Sequence, residues 1–234
     1  NPVLATNIYD EVHAGYYNVG KLTTSQNSER TEKYDYSAGG QQQRKISTDA
    51  AGSHISNLGL YADFVRYKNY TPGPLYVGTS ADPWDYDGAG RVKSIPGVII
   101  DQTYELDGQT KSIRYANGIV TTFTYSPTRR WLTRITTRNA SNVALIDNIY
   151  TRDLAGRILS INGLLATDDW TYAYDDLDRL ISANNAGDNT LDETFTYGTS
   201  DTMLSRTLMP GAYVDPAATA PRPHTPLSVG GRAF

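Results

Sequence analysis

An acidic and a basic side chain recur four positions apart in this sequence of 234 residues. The pairs are Asp87 with Arg91, Asp107 with Lys111, Asp153 with Arg157, and Asp175 with Arg179. A carboxylate beside a cation can bind a polar ligand. Four residues also span one tight turn, in which the aspartate accepts hydrogen bonds from backbone N–H groups further along. We therefore predict that these pairs serve turns and not a ligand.

Other chemistry-bearing residues are too scattered to predict an active site. Two aspartate clusters resemble half of a calcium loop but lack the glutamate that would complete it. They are Asp82, Asp85 and Asp87, and Asp175, Asp176 and Asp178. His13, His54 and His224 have no metal-ligand spacing, and the absence of cysteine excludes disulfides, thiolate sites and a cysteine nucleophile. We predict no catalytic residue, no cofactor and no metal site, and therefore a protein that is not an enzyme.

The charge balance restricts the partners. Lys and Arg number 21 against 25 Asp and Glu, and the resulting net charge of −4 argues against nucleic acid or an anionic membrane. No stretch approaches the roughly 18 apolar residues of a membrane span. Tyrosine is in surplus, at 18 residues against 4 phenylalanines, which points to a recurring structural position.

Repeats explain that surplus. The stretch 84–92 (WDYDGAGRV) returns at 149–158 (IYTRDLAGRI) and at 172–180 (YAYDDLDRL). An apolar residue that follows the basic position marks each copy, at Leu22, Ile46, Val92, Ile113, Leu132, Ile158, Leu180 and Leu204. The period is about 22 residues, which is too short for paired helices of roughly 34 residues. The step from Ile46 to Val92 is 46 residues, or about two periods, which predicts one degenerate unit near residues 49–79.

The local pattern predicts one β-hairpin for each repeat. Trp170, Tyr172 and Tyr174 alternate with smaller residues, as in a strand with one aromatic face. The turn that follows has aspartate first and glycine fourth, where the left-handed conformation is needed. In one copy Asp178 replaces this glycine, and aspartate tolerates that conformation. No segment has sustained helical periodicity, so the predicted fold class is all-β.

Residues 86–92 and 174–180 resemble the YD repeat of bacterial RHS proteins, of the B and C components of Tc insecticidal toxins, and of animal teneurins. The resemblance covers the chain from about Ile8 to about Arg206. It implies a strip of tandem hairpins that forms a curved, spiralling antiparallel sheet. In bacterial members this sheet closes into a shell around a C-terminal toxin domain. About eight units should be too few to close a cavity, so we expect an open sheet here.

The sequence departs from the family pattern at the element that closes the shell. That element carries Asp-Pro-x-Gly and an aspartyl self-cleavage site, whereas Asp82-Pro83 and Asp215-Pro216 lack the glycine. No cleavage site is therefore carried over. We predict a repeat array over residues 1–208 and a Pro-rich connector to a next repeat over 209–234, which contains Pro210, Pro216, Pro221, Pro223 and Pro226. The start at Asn1 and the stop at Phe234 suggest a piece of a longer chain.

The predicted function is structural. The scaffold residues would be Tyr86, Asp87, Gly90, Arg91, Tyr150, Asp153, Gly156, Arg157, Tyr174, Asp175 and Arg179. The resemblance implies a secreted or cell-surface bacterial protein whose partners are the rest of the shell and an enclosed toxin domain. The alternative is a carbohydrate-binding or adhesion module, in which Trp84, Trp131 and Trp170 would stack on glycans. Unpaired edge strands would also favour edge-to-edge self-association.

Overall fold

The computed structural model describes residues 5–62, 64–73, 75–199, 201–209, 211, 213–216, 219 and 226–233. Several residues singled out in the sequence lie outside this part: Asn1, Asp63, Pro210, Pro221, Pro223, His224 and Phe234. The chain divides into two compact units, Asn1–Ile119 and Val120–Phe234. The predicted all-β fold is confirmed, because the described residues form 22 strands and no α-helix. The described part contains no helix that is long and apolar enough to span a membrane.

The first unit is a series of antiparallel hairpins. Its strands are β1 (Thr6–Tyr9), β2 (Leu22–Gln26), β3 (Thr31–Tyr36), β4 (Gln42–Asp49), β5 (Gly52–Tyr61), β6 (Phe64–Thr71), β7 (Leu75–Val77), β8 (Asp85–Tyr86), β9 (Val92–Ser94), β10 (Ile99–Tyr104) and β11 (Thr110–Tyr115). β1 to β7 form one open sheet in chain order. β8 pairs with β9, and β10 pairs with β11. Each of these strands therefore pairs with at least one neighbour in sequence.

The second unit repeats this arrangement. Its strands are β12 (Val120–Tyr125), β13 (Leu132–Arg138), β14 (Ala144–Arg152), β15 (Ile158–Asn162), β16 (Trp170–Tyr174), β17 (Leu180–Asn185), β18 (Glu193–Tyr197), β19 (Met203–Arg206), β20 (Tyr213–Val214), β21 (Ser228–Val229) and β22 (Arg232–Ala233). β12 to β19 are neighbours in chain order, and β20 to β22 form a small separate sheet. Two single 3-10 turns, Ala166–Asp168 and Asn189–Leu191, interrupt the hairpin connections. The division between array and connector near residue 208 stays a prediction.

A β-bulge marks the last strand residue before the repeated turns. The register with the return strand shifts there at Tyr9, Tyr36, Tyr86, Tyr104, Tyr125, Arg152, Tyr174 and Tyr197. A bulge adds local twist and re-aims the side chain that it carries. Seven of the 18 tyrosines thus occupy this bulged position before a turn.

The described residues bury very little apolar surface. Only Ala183 and Val229 are buried hydrophobic residues among them. The buried polar residues are more numerous: Asn18, Thr23, Thr24, Asp35, Asn185 and Glu193. A single-layered sheet has no interior in which to collect large apolar side chains. Contacts between consecutive hairpins and hydrogen-bonded polar groups must therefore supply its stability.

Candidate functional site

The first aspartate of the repeated turn closes the turn with its side chain. At Asp87, Oδ1 accepts hydrogen bonds from the backbone N–H groups of Ala89 (2.9 Å) and Arg91 (3.0 Å). Its Oδ2 accepts a bond from Arg91 Nε at 2.7 Å. The backbone N–H of Asp87 in turn donates to the Arg91 carbonyl at 2.8 Å. Both oxygens of the carboxylate are thus engaged by the turn that it begins.

The same contacts recur at two further turns. Asp153 Oδ2 accepts a bond from Arg157 Nε at 2.6 Å, and Asp175 Oδ2 accepts one from Arg179 Nε at 2.8 Å. In each case Oδ1 binds two backbone N–H groups, as at Asp87. The side-chain hydrogen bond from the arginine lowers the pKa of Asp87 and Asp175. These carboxylates are therefore ionised at neutral pH and fully occupied by the turn.

The fourth turn position has the left-handed conformation that the sequence predicts. The backbone φ is 78° at Gly90, 94° at Gly156 and 65° at Asp178. The prediction that Asp178 adopts this conformation is confirmed. Gly156 has a second constraint, because a Cβ atom there would lie 3.0 Å from Cζ2 of Trp131.

Replacing Gly156 by alanine is expected to destabilise the protein by about 1–2 kcal/mol through backbone strain, with a further loss from the Trp131 contact. Gly97→Ala is the matched control, because φ is 74° there and a Cβ atom would meet nothing within 4 Å. Urea denaturation should show a larger loss for Gly156→Ala. Equal losses would mean that the Trp131 contact contributes nothing.

A tyrosine before the turn connects each hairpin to the hairpin before it. Its hydroxyl donates a hydrogen bond of 2.6–2.9 Å to a backbone carbonyl on the preceding hairpin. The pairs are Tyr36 with Leu22, Tyr86 with Val65, Tyr104 with Val92, Tyr174 with Ile158, and Tyr197 with Leu180. Burial raises the pKa of Tyr36, Tyr86 and Tyr104, so these hydroxyls remain protonated donors.

Tyr174→Phe is expected to lower the free energy of unfolding by about 0.5–1.5 kcal/mol, because the Ile158 carbonyl loses its bond at 2.9 Å. Tyr172→Phe is the matched control on the same strand. The Tyr172 hydroxyl makes no hydrogen bond with the residues that the structure describes, so its removal should change stability little. If both variants lost the same amount in urea denaturation, the hydroxyl-to-carbonyl contact would not stabilise the array.

The arginines of three turns also contact the tyrosine of the next hairpin. The guanidinium of Arg91 lies 4.2 Å from the ring centroid of Tyr104, and that of Arg179 lies 4.8 Å from Tyr197. Arg157 is placed in the same way over Tyr174, at 5.1 Å. Each of these arginines therefore binds its own aspartate and stacks on the tyrosine of the next repeat. The turn contacts and the stacking contacts form a ladder that joins three pairs of consecutive hairpins, at Arg91, Arg157 and Arg179.

One repeat has arginine at the position that tyrosine occupies before the other turns. Arg152 stands immediately before the turn at Asp153, while Tyr150 lies two residues earlier on the strand. Arg152 Nε donates to the Leu132 carbonyl at 3.4 Å, which is the type of bond that the tyrosine makes elsewhere. Arginine thus substitutes for tyrosine as the donor to the preceding hairpin.

The pair Asp107 and Lys111 is out of register with the acid and base of the other turns. The turn begins at Glu105, whose backbone N–H donates to the Gln109 carbonyl at 2.8 Å. Gly108 takes the left-handed position, with φ at 88°. Asp107 is therefore an interior turn residue, and Lys111 already belongs to the return strand. The glycine, and not the spacing of charges, determines where the turn lies.

The three tryptophans have different surroundings. Trp84 donates from Nε1 to the Val77 carbonyl at 3.0 Å. The ring of Trp131 packs against Gly156 and lies under the Arg129 guanidinium at 4.8 Å. Both have structural contacts that account for their position.

Trp170 lines a cavity. Its ring and that of Tyr172 are stacked and nearly parallel, with an interplanar angle of 8° and centroids 6.3 Å apart. Both residues line a cavity of about 400 Å3 together with Asn148 and Asp168. This cavity combines aromatic side chains with polar groups.

Sequence reasoning missed a buried ionic cluster in the first unit. The Asp35 carboxylate has no solvent exposure and accepts bonds from Arg44 Nε (2.6 Å), Asn18 Nδ2 (3.0 Å) and His13 Nδ1. Burial alone would raise the pKa of Asp35, but the bonds from Asn18, His13 and Arg44 outweigh it and lower that pKa. The four residues have no periodic spacing. The one available signal was an insertion, residues 11–20. It places Asp10 and Lys21 eleven positions apart, whereas the acid and the base of the other turns are four apart.

A second ionic contact, between the buried Glu193 and the partly exposed Arg206, lies in the other unit. Arg206 donates from Nε to Glu193 Oε1 at 2.5 Å and from Nη2 to Oε2 at 2.8 Å. The side-chain bond from Arg206 lowers the pKa of Glu193. Neither cluster gathers three candidate metal ligands, and no such group occurs among the described residues. Both clusters therefore look like anchors of the sheet.

Solved structures share this architecture. The Tc holotoxin pore of Photorhabdus luminescens matches with a TM-score of 0.66 and 17% identity, over 86% of this chain and 12% of that chain. The TcdB2–TccC3–Cdc42 crystal structure matches with a TM-score of 0.67 and 17% identity, over 90% and 13%. TcdB2–TccC3 alone gives 0.66 and 17%, over 85% and 12%. The chain has the RHS/YD-repeat fold.

The fold resemblance inferred from the YD motifs is thereby confirmed. No family model matches the sequence, and no curated protein sequence matches it. The chain spans about an eighth of the length of the Tc toxin chains that it matches. The YD-repeat fold places the aspartates, arginines and tyrosines described above at the turns of successive hairpins.

Proposed function

We propose that this chain is a non-enzymatic part of a YD-repeat shell that encloses a toxin domain in a secreted bacterial protein. The observation that carries the proposal is the ladder at the turns, in which the tyrosine and arginine contacts join consecutive hairpins. Such a ladder holds a single-layered sheet together without a core. The arrangement suits a wall that separates an enclosed polypeptide from solvent.

The fold supports the same role. The matched Tc toxin chains carry this fold as part of a shell, and the sheets here are open and composed of hairpins in chain order. The repeat residues Asp87, Asp153 and Asp175 have both carboxylate oxygens engaged within their turns. Their bonding supports a scaffold role and leaves no free group for catalysis at these turns.

The proposal can be tested on the full-length natural protein by limited proteolysis with trypsin. A shell predicts that a segment outside the repeat array resists cleavage in buffer and is cut rapidly once mild urea opens the array. Negative-stain electron microscopy of the same sample should show hollow particles. If every segment outside the array were cut equally fast with and without urea, enclosure would be excluded.

A glycan-binding role is the second candidate, and the cavity that Trp170 and Tyr172 line beside Asn148 and Asp168 favours it. Flat aromatic surfaces with polar neighbours are typical of small-ligand sites. A glycan array should then show binding that Trp170→Ala abolishes. Trp131→Ala is the control, because that ring is packed against Gly156. No binding by the unmodified chain would rule this role out.

A further inference from the structure

The cavity that Trp170 and Tyr172 line combines apolar side chains with a carboxylate. It lies against β14, β15, β16 and the 3-10 turn Ala166–Asp168. Ile146 and Ile161 contribute aliphatic side chains, and Asp168 contributes the carboxylate. Its volume of about 400 Å3 is within the range of small-ligand sites. This lining suits a ligand that has both an apolar part and a positive charge.

The array already holds cations between an aromatic ring and a carboxylate. Arg157 pairs with Asp153 at 2.6 Å, and its guanidinium lies over the Tyr174 ring at 5.1 Å. The cavity offers the same two partners, since aromatic rings and the Asp168 carboxylate line it together. Among the described residues, no lysine or arginine lies over either ring of the cavity or forms an ion pair with Asp168. A guanidinium from another molecule would complete the arrangement.

The stretch of chain around the cavity is strongly acidic. Residues 158–205 contain nine Asp and Glu but a single cation, Arg179, which is already bound to Asp175 and Asp201 at 2.7 Å in each case. Four aspartates form no ion pair with any residue that the structure describes: Asp168, Asp169, Asp188 and Asp192. The loops before β16 and β18 that contain them are in contact, because Asn185 Nδ2 donates to the Thr167 carbonyl at 2.9 Å. Their uncompensated negative charge attracts a cationic partner.

We propose that this cavity binds an arginine side chain of a partner polypeptide, with the guanidinium between the Asp168 carboxylate and the Trp170 ring. The aliphatic stem of the arginine packs against Ile161 and Tyr172. Arginine fits better than lysine, because its planar guanidinium stacks on aromatic rings and is less strongly hydrated. The two acidic loops attract further basic residues of the same segment. Such binding does not require the shell proposed above.

Other ligands fit the cavity less well. A metal ion needs several convergent ligands, and the described residues contain no group of three or more that could hold one. A neutral glycan would stack on the rings but would leave the carboxylates of the two loops without a counter-charge. An anionic membrane or a nucleic acid would be repelled by the same carboxylates. A basic peptide segment matches both the rings and the charge.

Nuclear magnetic resonance titration of the isotope-labelled chain tests the proposal, because its 3 tryptophans give well-separated indole N–H signals. The Trp170 signal is the one that Trp170→Phe removes. The peptide acetyl-Gly-Arg-Gly-amide should shift this signal at low salt. It should bind about tenfold more tightly than the uncharged acetyl-Gly-Gln-Gly-amide, which has a stem of similar length. Raising the salt concentration should weaken the binding.

Calorimetry on variants gives a second readout. Asp168→Asn and Trp170→Ala should each weaken binding of the arginine peptide about threefold or more. Asp176→Asn is the matched control, because Asp176 is an exposed aspartate of the same unit outside the cavity. Circular dichroism should show that the variants remain folded.

Absence of binding by the unmodified chain would overturn the proposal. So would equal affinity for the two peptides, or equal effects of Asp168→Asn and Asp176→Asn. A shift of the Trp170 signal by the neutral disaccharide maltose but not by the arginine peptide would assign the cavity to glycans and would equally overturn it. Enclosure by a shell is measured separately by proteolysis, so none of these results decides it.

Discussion

Asp35→Ala is expected to lower the free energy of unfolding by about 3–5 kcal/mol, one of the two largest effects that the structure predicts. The carboxylate is completely buried, and its removal leaves the Arg44 guanidinium and the Asn18 amide without their acceptor. A buried charge without a partner is more costly than the loss of the bond itself. Urea denaturation followed by circular dichroism measures the loss.

Two further variants separate this effect from a general loss of charge. Asp85→Ala removes a carboxylate that is 57% exposed and 3.6 Å from Lys93, so it should change stability by less than about 1 kcal/mol. The double variant Asp35→Asn with Arg44→Gln replaces both charges with neutral polar groups. It should recover much of the stability that Asp35→Ala loses. A double variant as unstable as Asp35→Ala would show that burial of the pair is not the cause.

The same cluster predicts an acid-sensitive contribution to stability. Because the folded-state pKa of Asp35 is lowered, its contribution is present above the unfolded-state value of about 3.9 and is lost as the pH falls through the folded-state value. The unmodified chain should therefore lose stability below about pH 4 more steeply than Asp35→Asn does. Parallel pH profiles for the two proteins would contradict this assignment.

The contacts of the repeat were largely predictable from local sequence. An Asp-x-x-Gly step determines its own turn, because the aspartate and the left-handed residue act within five positions. Four of the apolar residues that mark the repeat period also accept, through their backbone carbonyls, the hydrogen bond from the tyrosine of the next hairpin. They are Leu22, Val92, Ile158 and Leu180. Periodicity indicated these positions because each repeat must meet the next at the same place.

Contacts without a period were not predictable. His13 and Asp35 are 22 positions apart and meet only because the insertion folds back over β3. The offset at Asp107 and Lys111 has a different cause. Gly108 determines where that turn lies, because a residue with positive φ restricts the backbone more strongly than the spacing of two exposed charges does.

Glu193→Ala is expected to lower the free energy of unfolding by about 1.5–3 kcal/mol in the second unit, less than Asp35→Ala, because the Arg206 side chain is 35% exposed and water can reach its guanidinium. Glu193 is 7% exposed and binds Arg206 through both carboxylate oxygens. Its neighbour across the strand pair is Ala183, one of the few buried apolar residues described. Truncation leaves the guanidinium without its acceptor beside this apolar contact. The expected loss follows from the burial of the Glu193 carboxylate, which is the less exposed partner of the pair.

The Arg134 and Asp147 pair tests that explanation, because its geometry is the same and its exposure is greater. Arg134 donates from Nε and Nη2 to the two Asp147 oxygens at 2.6 Å. Both side chains are more exposed than their counterparts: Arg134 is 43% exposed against 35% for Arg206, and Asp147 is 16% exposed against 9% for Glu193. Asp147→Ala should therefore cost less than Glu193→Ala in urea denaturation. Arg206 lowers the pKa of Glu193, so the stability it contributes is present above about pH 4.3 and is lost as the pH falls. Equal losses for the two variants would show that bidentate geometry, and not burial, determines the contribution.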